Sequence, residues 1–326
     1  MQEQNRPMYE MEYPAPAVNQ RPTLVVALEG YADAGFAVES SANHLKAALE
    51  SRPLATFNTD ELIDYRSRRP AATLETDSTV EMESMDLDIR VMKDISDKPF
   101  LLLSGPEPDL RWKAFTQAVT DLVKRFDVEN TICLYAAPMP VPHTRPMVVT
   151  AHGNSKDLIG HMVHMDQKLI VPGSAQLMLE KVLAQAGRNV AGYTAHVPHY
   201  LASSSYPQAT FELLDAIASA VGLDLPLKVL EKDMERVNNQ VTEQVSDSEE
   251  VLGVVHALEQ QYDAYIERYR QEHPQAIMPG EKDVPSGEEI GAEFQQFLAK
   301  LGTVDDFLAE DIDDAEDNSG TIEDDS

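Results

Sequence analysis

Five side chains in this sequence have the types an acid–base or anion-handling site would use: Glu29, Asp33, His143, Arg145 and His152. All five fall on predicted loops at or near strand ends, where α/β proteins place their ligands. The same residues also admit a structural role, with Arg145 and Asp33 pairing to fix two loops, and that reading is favoured over catalysis. Six of the nine histidines fall between 143 and 199: His143, His152, His161, His164, His196 and His199. His161 and His164 are spaced to share a helix face, but zinc would need further ligands, for which His152 or Asp157 is available. No HExxH or Cys/His spacing accompanies them, so no metal and no cofactor is expected. Serine hydrolysis has no G-x-S-x-G elbow to rest on. Ser174, after Pro172-Gly173, reads as a helix cap, and Ser203-Ser204-Ser205 as part of a loop.

The elements that must position these groups begin at Leu24–Gly35, LVVALEGYADAG. Leu24 to Leu28 are apolar without interruption, the pattern of a strand buried on both faces. Glu29 and Gly30 end it, and Phe36–Leu49 follows with helical spacing. The turn fails as a phosphate loop, because Phe36 and Ala37 stand where Lys and Ser/Thr are required. It fails as a dinucleotide turn because residue 32 is Ala, and its two carboxylates would repel phosphate. Asp33 is expected to cap the helix.

Gly30-Tyr31-Ala32-Asp33-Ala34-Gly35 resembles the G-W-x-D-A-G signature of the proteasome assembly chaperone 2 (PAC2) family, with Tyr31 in place of the more usual Trp. A second match runs through Leu158–Gly160, Leu177–Gly187 and Tyr200–Leu214. There the family's D-P-x-A reads Tyr206-Pro207-Gln208-Ala209, so the acid is missing. The resemblance covers residues 20–225. It implies a three-layer α/β/α, phosphorylase/hydrolase-like core, a cytoplasmic location and a homo-oligomer, with a trimer preferred. Eukaryotic and archaeal members are associated with proteasome assembly, whereas the bacterial members that this long acidic form resembles mostly lack an assigned activity. The resemblance implies a non-catalytic protein-interaction or assembly-chaperone-like factor. The alternative is an enzyme on a nucleoside-phosphorylase/hydrolase-like fold acting on a small anionic or nucleoside-like substrate. Archaeal relatives end in a hydrophobe-Tyr-any tripeptide that enters the proteasome ring. This sequence ends Asp324-Asp325-Ser326, so that route is expected to be absent.

The 326 residues carry 26 Lys and Arg against 56 Asp and Glu, a net charge of −30. That balance argues against nucleic acid, whose phosphates need Lys and Arg, and against anionic membrane surfaces. A basic protein partner stays compatible with it, though solubility is the simpler reading. Cys133 is the only cysteine and lies in an apolar run, as a core residue would. It can form no internal disulfide, which fits a reducing compartment. No apolar run approaches 18 residues and Met1–Pro14 lacks a signal-peptide core, so no membrane segment is expected.

Residues 1–22, with Pro7, Pro14, Pro16 and Pro22, read as an N-terminal arm, and residues 23–225 as the α/β domain. Leu54–Phe57 is a short strand. Thr73–Thr76 and Ile89–Met92 are expected as half-exposed strands of an antiparallel excursion, joined by an acidic loop around Glu81–Asp88. Pro99–Ser104 is a buried strand that Gly105-Pro106 breaks, and Asp109 is expected to cap a helix anchored in the core by Trp112. Thr131–Ala137 completes a parallel βαβ unit. A stiff Pro138–Pro146 loop follows, then an extended Met147–Thr150 that ends at His152-Gly153-Asn154-Ser155. A helix over Ser174–Ala186, a strand over Val190–Val197 and a helix over Pro207–Val221 complete the domain. Residues 226–302 read as a helical appendage. Apolar steps from Leu227 to Val245 and from Val251 to Tyr269 make a hairpin, with Ser246 and Glu249 as a capping box between them. Ser286 and Glu289 are expected to cap a short helix bearing Ile290, Phe294, Phe297 and Leu301. Residues 303–326 hold many acids and are expected to be disordered.

Overall fold

A computed structural model describes residues 8–12, 21–76, 79–160, 162–164, 168–274 and 276–281. The short helix expected after Ser286, the acidic tail, most of the N-terminal arm and His161 lie outside the described residues. Among them, ten strands run in chain order: β1 (Tyr9–Met11), β2 (Thr23–Glu29), β3 (Ser51–Phe57), β4 (Ala72–Thr73), β5 (Glu81–Met82), β6 (Asp88–Lys93), β7 (Pro99–Pro106), β8 (Asn130–Met139), β9 (Val149–Gly153) and β10 (Asn189–Pro198). The helices are α1 (Ala37–Ala48), α2 (Trp112–Arg125), α3 (Lys156–Ile159), α4 (Ala175–Gln185), α5 (Pro207–Val221), α6 (Lys228–Ser246) and α7 (Glu249–Glu272).

Eight strands form one mixed sheet in the order β1-β3-β6-β7-β2-β8-β10-β9. Four consecutive strands, β7, β2, β8 and β10, are parallel, and the flanks, three strands on one side and one on the other, are antiparallel. β2 sits near the centre, which is why its apolar run has no polar alternation. Val25 and Ala27 face α1 and α5, while Leu24, Val26 and Leu28 face α2 and α4. Helices therefore cover both faces, and the architecture is the three-layer α/β/α fold. Met1–Gly280 form one compact unit, and within it the α6–α7 hairpin uses both of its seams. Leu230 and Val237 of α6 pack against the α1/α5 core, and Val241 and Val245 meet Leu252 and Val255 of α7. Further along α7, Tyr262 and Tyr269 pack on Val148, Val163 and Met278. No helix among the described residues is long and apolar enough to cross a membrane.

Several local expectations are corrected. β6 is buried in the main sheet between β3 and β7, with Ile89 and Met92 almost fully covered. Only β4 and β5 make the exposed two-stranded excursion, and Glu81 belongs to it. β7 runs through Gly105 and Pro106 because Gly105 takes φ +124°, placing its backbone against Asp86 and Leu87. β7 and β8 are parallel, but β2 lies between them. Asp109 does not cap α2: its carboxylate accepts from the backbone N–H of Asp64 and pairs with Arg68. Trp112 is only partly buried, with its indole N–H donating to the Pro108 carbonyl. The cap of α7 is Ser248, whose hydroxyl accepts from Val251, while Ser246 still belongs to α6.

Candidate functional site

The turn after β2 is held by its own chain. Asp33 Oδ1 accepts from Val38 N–H at 2.7 Å and Oδ2 from Glu39 N–H at 3.1 Å, so the carboxylate closes the first turn of α1. Gly35 at φ +71° and Phe36 at φ +53° swing the chain into that helix. Gly35 also exchanges backbone hydrogen bonds with the segment after β10: its N–H donates to the Ala202 carbonyl and its carbonyl accepts from Tyr206 N–H. Glu29 ends β2 beside Glu39 and Asp33. Burial, helped by those two carboxylates, raises its pKa. Burial raises the pKa of Asp33 too, against the pull of the helix N–H groups. Tyr31 is 55% exposed, and its hydroxyl donates to the Pro172 carbonyl.

Under this turn lies a polar node absent from the sequence-based set. Glu107, just past β7, is 7% exposed, and its Oε1 accepts from the backbone N–H groups of Ala175 and Gln176 at the start of α4. A side chain at Gly30 would bring its Cβ within 2.4 Å of Glu107 Oε2, so that carboxylate would have to shift. Gln176 bridges two strands, accepting from Leu28 N–H and donating to the Leu134 carbonyl. Ser174 caps α4 through Leu177 N–H.

His143 and Arg145 sit elsewhere, on the β8–β9 loop. The Tyr200 hydroxyl accepts from His143 N–H at 2.9 Å and lies 2.8 Å from His143 Nδ1. His143 Nε2 faces Thr242 Oγ1 of α6, whose own hydrogen goes to the Asn238 carbonyl. Burial lowers the His143 pKa, against the pull of Glu259. Arg145 forks onto Asp263 of α7 at 2.8 and 2.9 Å and reaches Glu259 at 3.1 Å. Its partners are therefore acids of the hairpin and not Asp33, as the sequence had suggested. The two hairpin carboxylates raise the pKa of its guanidinium and fix the loop to α7.

His152 is not on a loop. It lies within β9, which runs antiparallel to β10, with Gly192 as its partner in register. Gly192 aligns through Cys133 with Val26, three residues before Glu29 and three strands away. At about 4.8 Å per strand that is a lateral gap of about 14 Å. His152 instead joins Glu180 of α4: its Nε2 lies 3.0 Å from Glu180 Oε2, while Tyr135 donates its hydroxyl to Glu180 Oε1 at 2.7 Å. Gly192 leaves the room for that imidazole, since a Cβ there would stand 2.3 Å from the ring. The Glu180 hydrogen bond raises the His152 pKa, and burial raises the thiol of Cys133 beside it.

The five sequence-predicted residues thus divide into three groups, and Asp33, Arg145 and His152 each have an internal partner. Glu107, Gln176 and Glu180 were missed, though a signal for two of them exists. Gln176 and Glu180 are four apart on the same buried stripe of α4 as Leu179 and Leu183, and polar residues on an apolar stripe need buried partners. Among the described residues no group of three or more His, Cys, Asp or Glu could hold a metal ion.

The sequence matches the PAC2 family over residues 27–245. Its fold is similar to that of a protein of unknown function from Corynebacterium glutamicum, 59% identical, with TM-score 0.79, covering 81% of this chain and 99% of that one. It is similar to a PAC2 family protein from Streptomyces avermitilis, 28% identical, with TM-score 0.63, covering 72% and 99%. A Mycobacterium tuberculosis protein described as a proteasome-assembly chaperone homologue shares the fold at 24% identity, with TM-score 0.65, covering 72% and 99%. No curated protein matches. The match spans more than half of the sequence, and the chain belongs to the PAC2 family.

Proposed function

We propose that this protein is a non-catalytic protein-interaction factor of the assembly-chaperone type, working as a homo-oligomer in the cytoplasm, with no cofactor. One observation carries the reading. The strand-end position where an α/β enzyme would hold its substrate is occupied by the chain's own Glu107, whose carboxylate takes the N–H groups at the start of α4. The anion site that a phosphorylase-like enzyme needs is therefore filled by an internal acid, and Arg145, its cationic candidate, is held by Asp263 and Glu259.

Beside this closed position the surface is apolar. Leu169, Ile170 and Val171 are 58%, 88% and 47% exposed, and Tyr31 bonds to the carbonyl of Pro172, the next residue in the chain. A patch of that kind suits a protein partner. The net charge of −30 supports a partner that is basic or neutral rather than nucleic acid or an anionic membrane. Family membership and the mycobacterial chaperone homologue support the assembly role at the level of fold.

The test pairs two measurements on the full chain. Chemical crosslinking with mass spectrometry from native cytoplasm should give partner crosslinks near Lys168, lost in Ile170→Asp. A screen with phosphate and nucleosides, read by thermal shift and turnover, should find no response. Turnover that survives Ile170→Asp and disappears in Asp33→Asn would overturn the proposal in favour of the enzyme.

A further inference from the structure

A groove of about 490 Å³ opens between the end of β8 and one side of α7. It lies away from the Glu107 node, and none of the contacts described so far fills it. Its walls are apolar: Met139, Pro140 and Val141 from the strand end, Val148 before β9, and Ala264 with the ring of Tyr262 from α7. Besides the tyrosines, three polar side chains stand among them: Gln261 of α7, His196 and Arg268. His196 of β10 is 8% exposed and lines the groove. Its Nε2 is engaged by the Thr150 hydroxyl at 3.1 Å, and its Nδ1 has no partner among the described residues. Burial drives its pKa down to about 4, so the ring is neutral at physiological pH. Arg268 forms the rim, with its guanidinium 5.9 Å from the centre of the Tyr265 ring and no carboxylate partner among the described residues.

We infer that this groove binds a small monocarboxylate with an apolar body, its carboxylate on Arg268 and its apolar part against Met139, Val141, Val148 and Ala264. The volume is that of small-molecule sites, and a few polar groups set in apolar walls are their usual composition. One guanidinium matches one carboxylate. A phosphate ester or nucleotide would need more cations than the single Arg268 supplies. The imidazole offers one further hydrogen bond through its second ring nitrogen. The site is independent of the proposed protein-binding patch, so either can fail without the other.

The experiment uses the full chain with 13C-methyl-labelled methionine and follows the Met139 methyl signal by NMR. Probes are 4-phenylbutyrate, its uncharged analogue 4-phenylbutanol, and inorganic phosphate. Phenylbutyrate should give saturable shifts of Met139. Phenylbutanol and phosphate should bind at least about tenfold more weakly or not at all, the size of one lost charge-assisted hydrogen bond. Arg268→Gln should weaken phenylbutyrate by a similar factor, and Ala264→Trp, an exposed position whose new ring would fill the groove, should abolish binding with the fold intact. The inference is overturned if Met139 does not respond, if phenylbutanol binds as well as the acid, or if Arg268→Gln leaves the affinity unchanged.

Discussion

The two faces of the central sheet are built differently. The face under α1 and α5 is closed mainly by apolar contacts, with Val25, Ala27, Ile132, Leu134, Ala191 and Ala195 in one cluster with Val38, Leu45, Leu213 and Ile217. The face under α2 and α4 combines a similar apolar cluster with buried polar groups: Glu107, Gln176 and Glu180, together with Tyr135 and His152. The strand residues alternate between faces, so the same strands supply both environments. The strand contacts of the first face depend on volume and area, which pH does not change. The second depends on hydrogen bonds that are costly to break singly, and its stability depends on the charge of the groups involved.

The largest expected effect tests the apolar face. Leu213→Ala removes a fully buried side chain and should cost about 2–5 kcal/mol in denaturant unfolding, equally at pH 5.5 and pH 8. A strong pH dependence of that loss would break the contrast between the faces. On the polar face, Glu180→Ala strands the Tyr135 hydroxyl and should cost about 1–3 kcal/mol. Glu180→Gln isolates the charge. His152 has a folded pKa raised above its unfolded value, so its contribution is fully present below the unfolded pKa and lost as pH rises through the folded one. Wild type should therefore exceed Glu180→Gln in stability more at pH 5.5 than at pH 8, and an NMR titration should show the His152 pKa falling in the variant. A constant difference across that range would mean that the imidazole is not paired.

A third experiment sharpens the comparison, because α5 carries its own titrating acid. Burial, with Asp215 alongside, pushes Glu212 up to about 7. The native state then holds a proton that the unfolded chain releases near 4.5, so stability should fall as pH rises between those values. Melting temperatures from pH 4.5 to 7.5 should show this slope in wild type and a flatter one in Glu212→Gln; parallel curves would refute it. Asp33→Ala, which removes one capping carboxylate from α1, should cost about 1 kcal/mol at neutral pH. Its effect should appear in thermal unfolding without change in oligomeric state. The smallest effect is expected from deleting residues 305–326, which should leave the melting temperature unchanged, since that segment offers almost no apolar face; a drop of several degrees would contradict it.

Much of this architecture can be read from the residues. The uninterrupted Leu24–Leu28 run marks a strand buried on both faces, and Pro207 with Gly222 marks both ends of α5. The apolar steps of α6 and α7 announce a hairpin. The candidate site was legible only in part. Asp33 beside α1 follows from local chain geometry, because donor and acceptor are five residues apart. Arg145 was visible as a cation but was matched to the wrong acid, Asp33, since Asp263 is 118 residues away and nothing local selects it over 55 other acids.

What the sequence determined by itself is what short-range physics controls: the period of each element, its caps, the charge of the chain and the motif that turns β2 into α1. What only the tertiary structure decided is how distant elements meet. Strand order belongs here, because β2 enters between β7 and β8 although it precedes both. So does the direction of β9, which carries His152 away from Glu29 and onto Glu180. So, finally, does the role of Glu107. An acid after a strand has no local reason to be buried, and it is buried because α4, folded from residues some 70 positions later, presents unpaired N–H groups at that point.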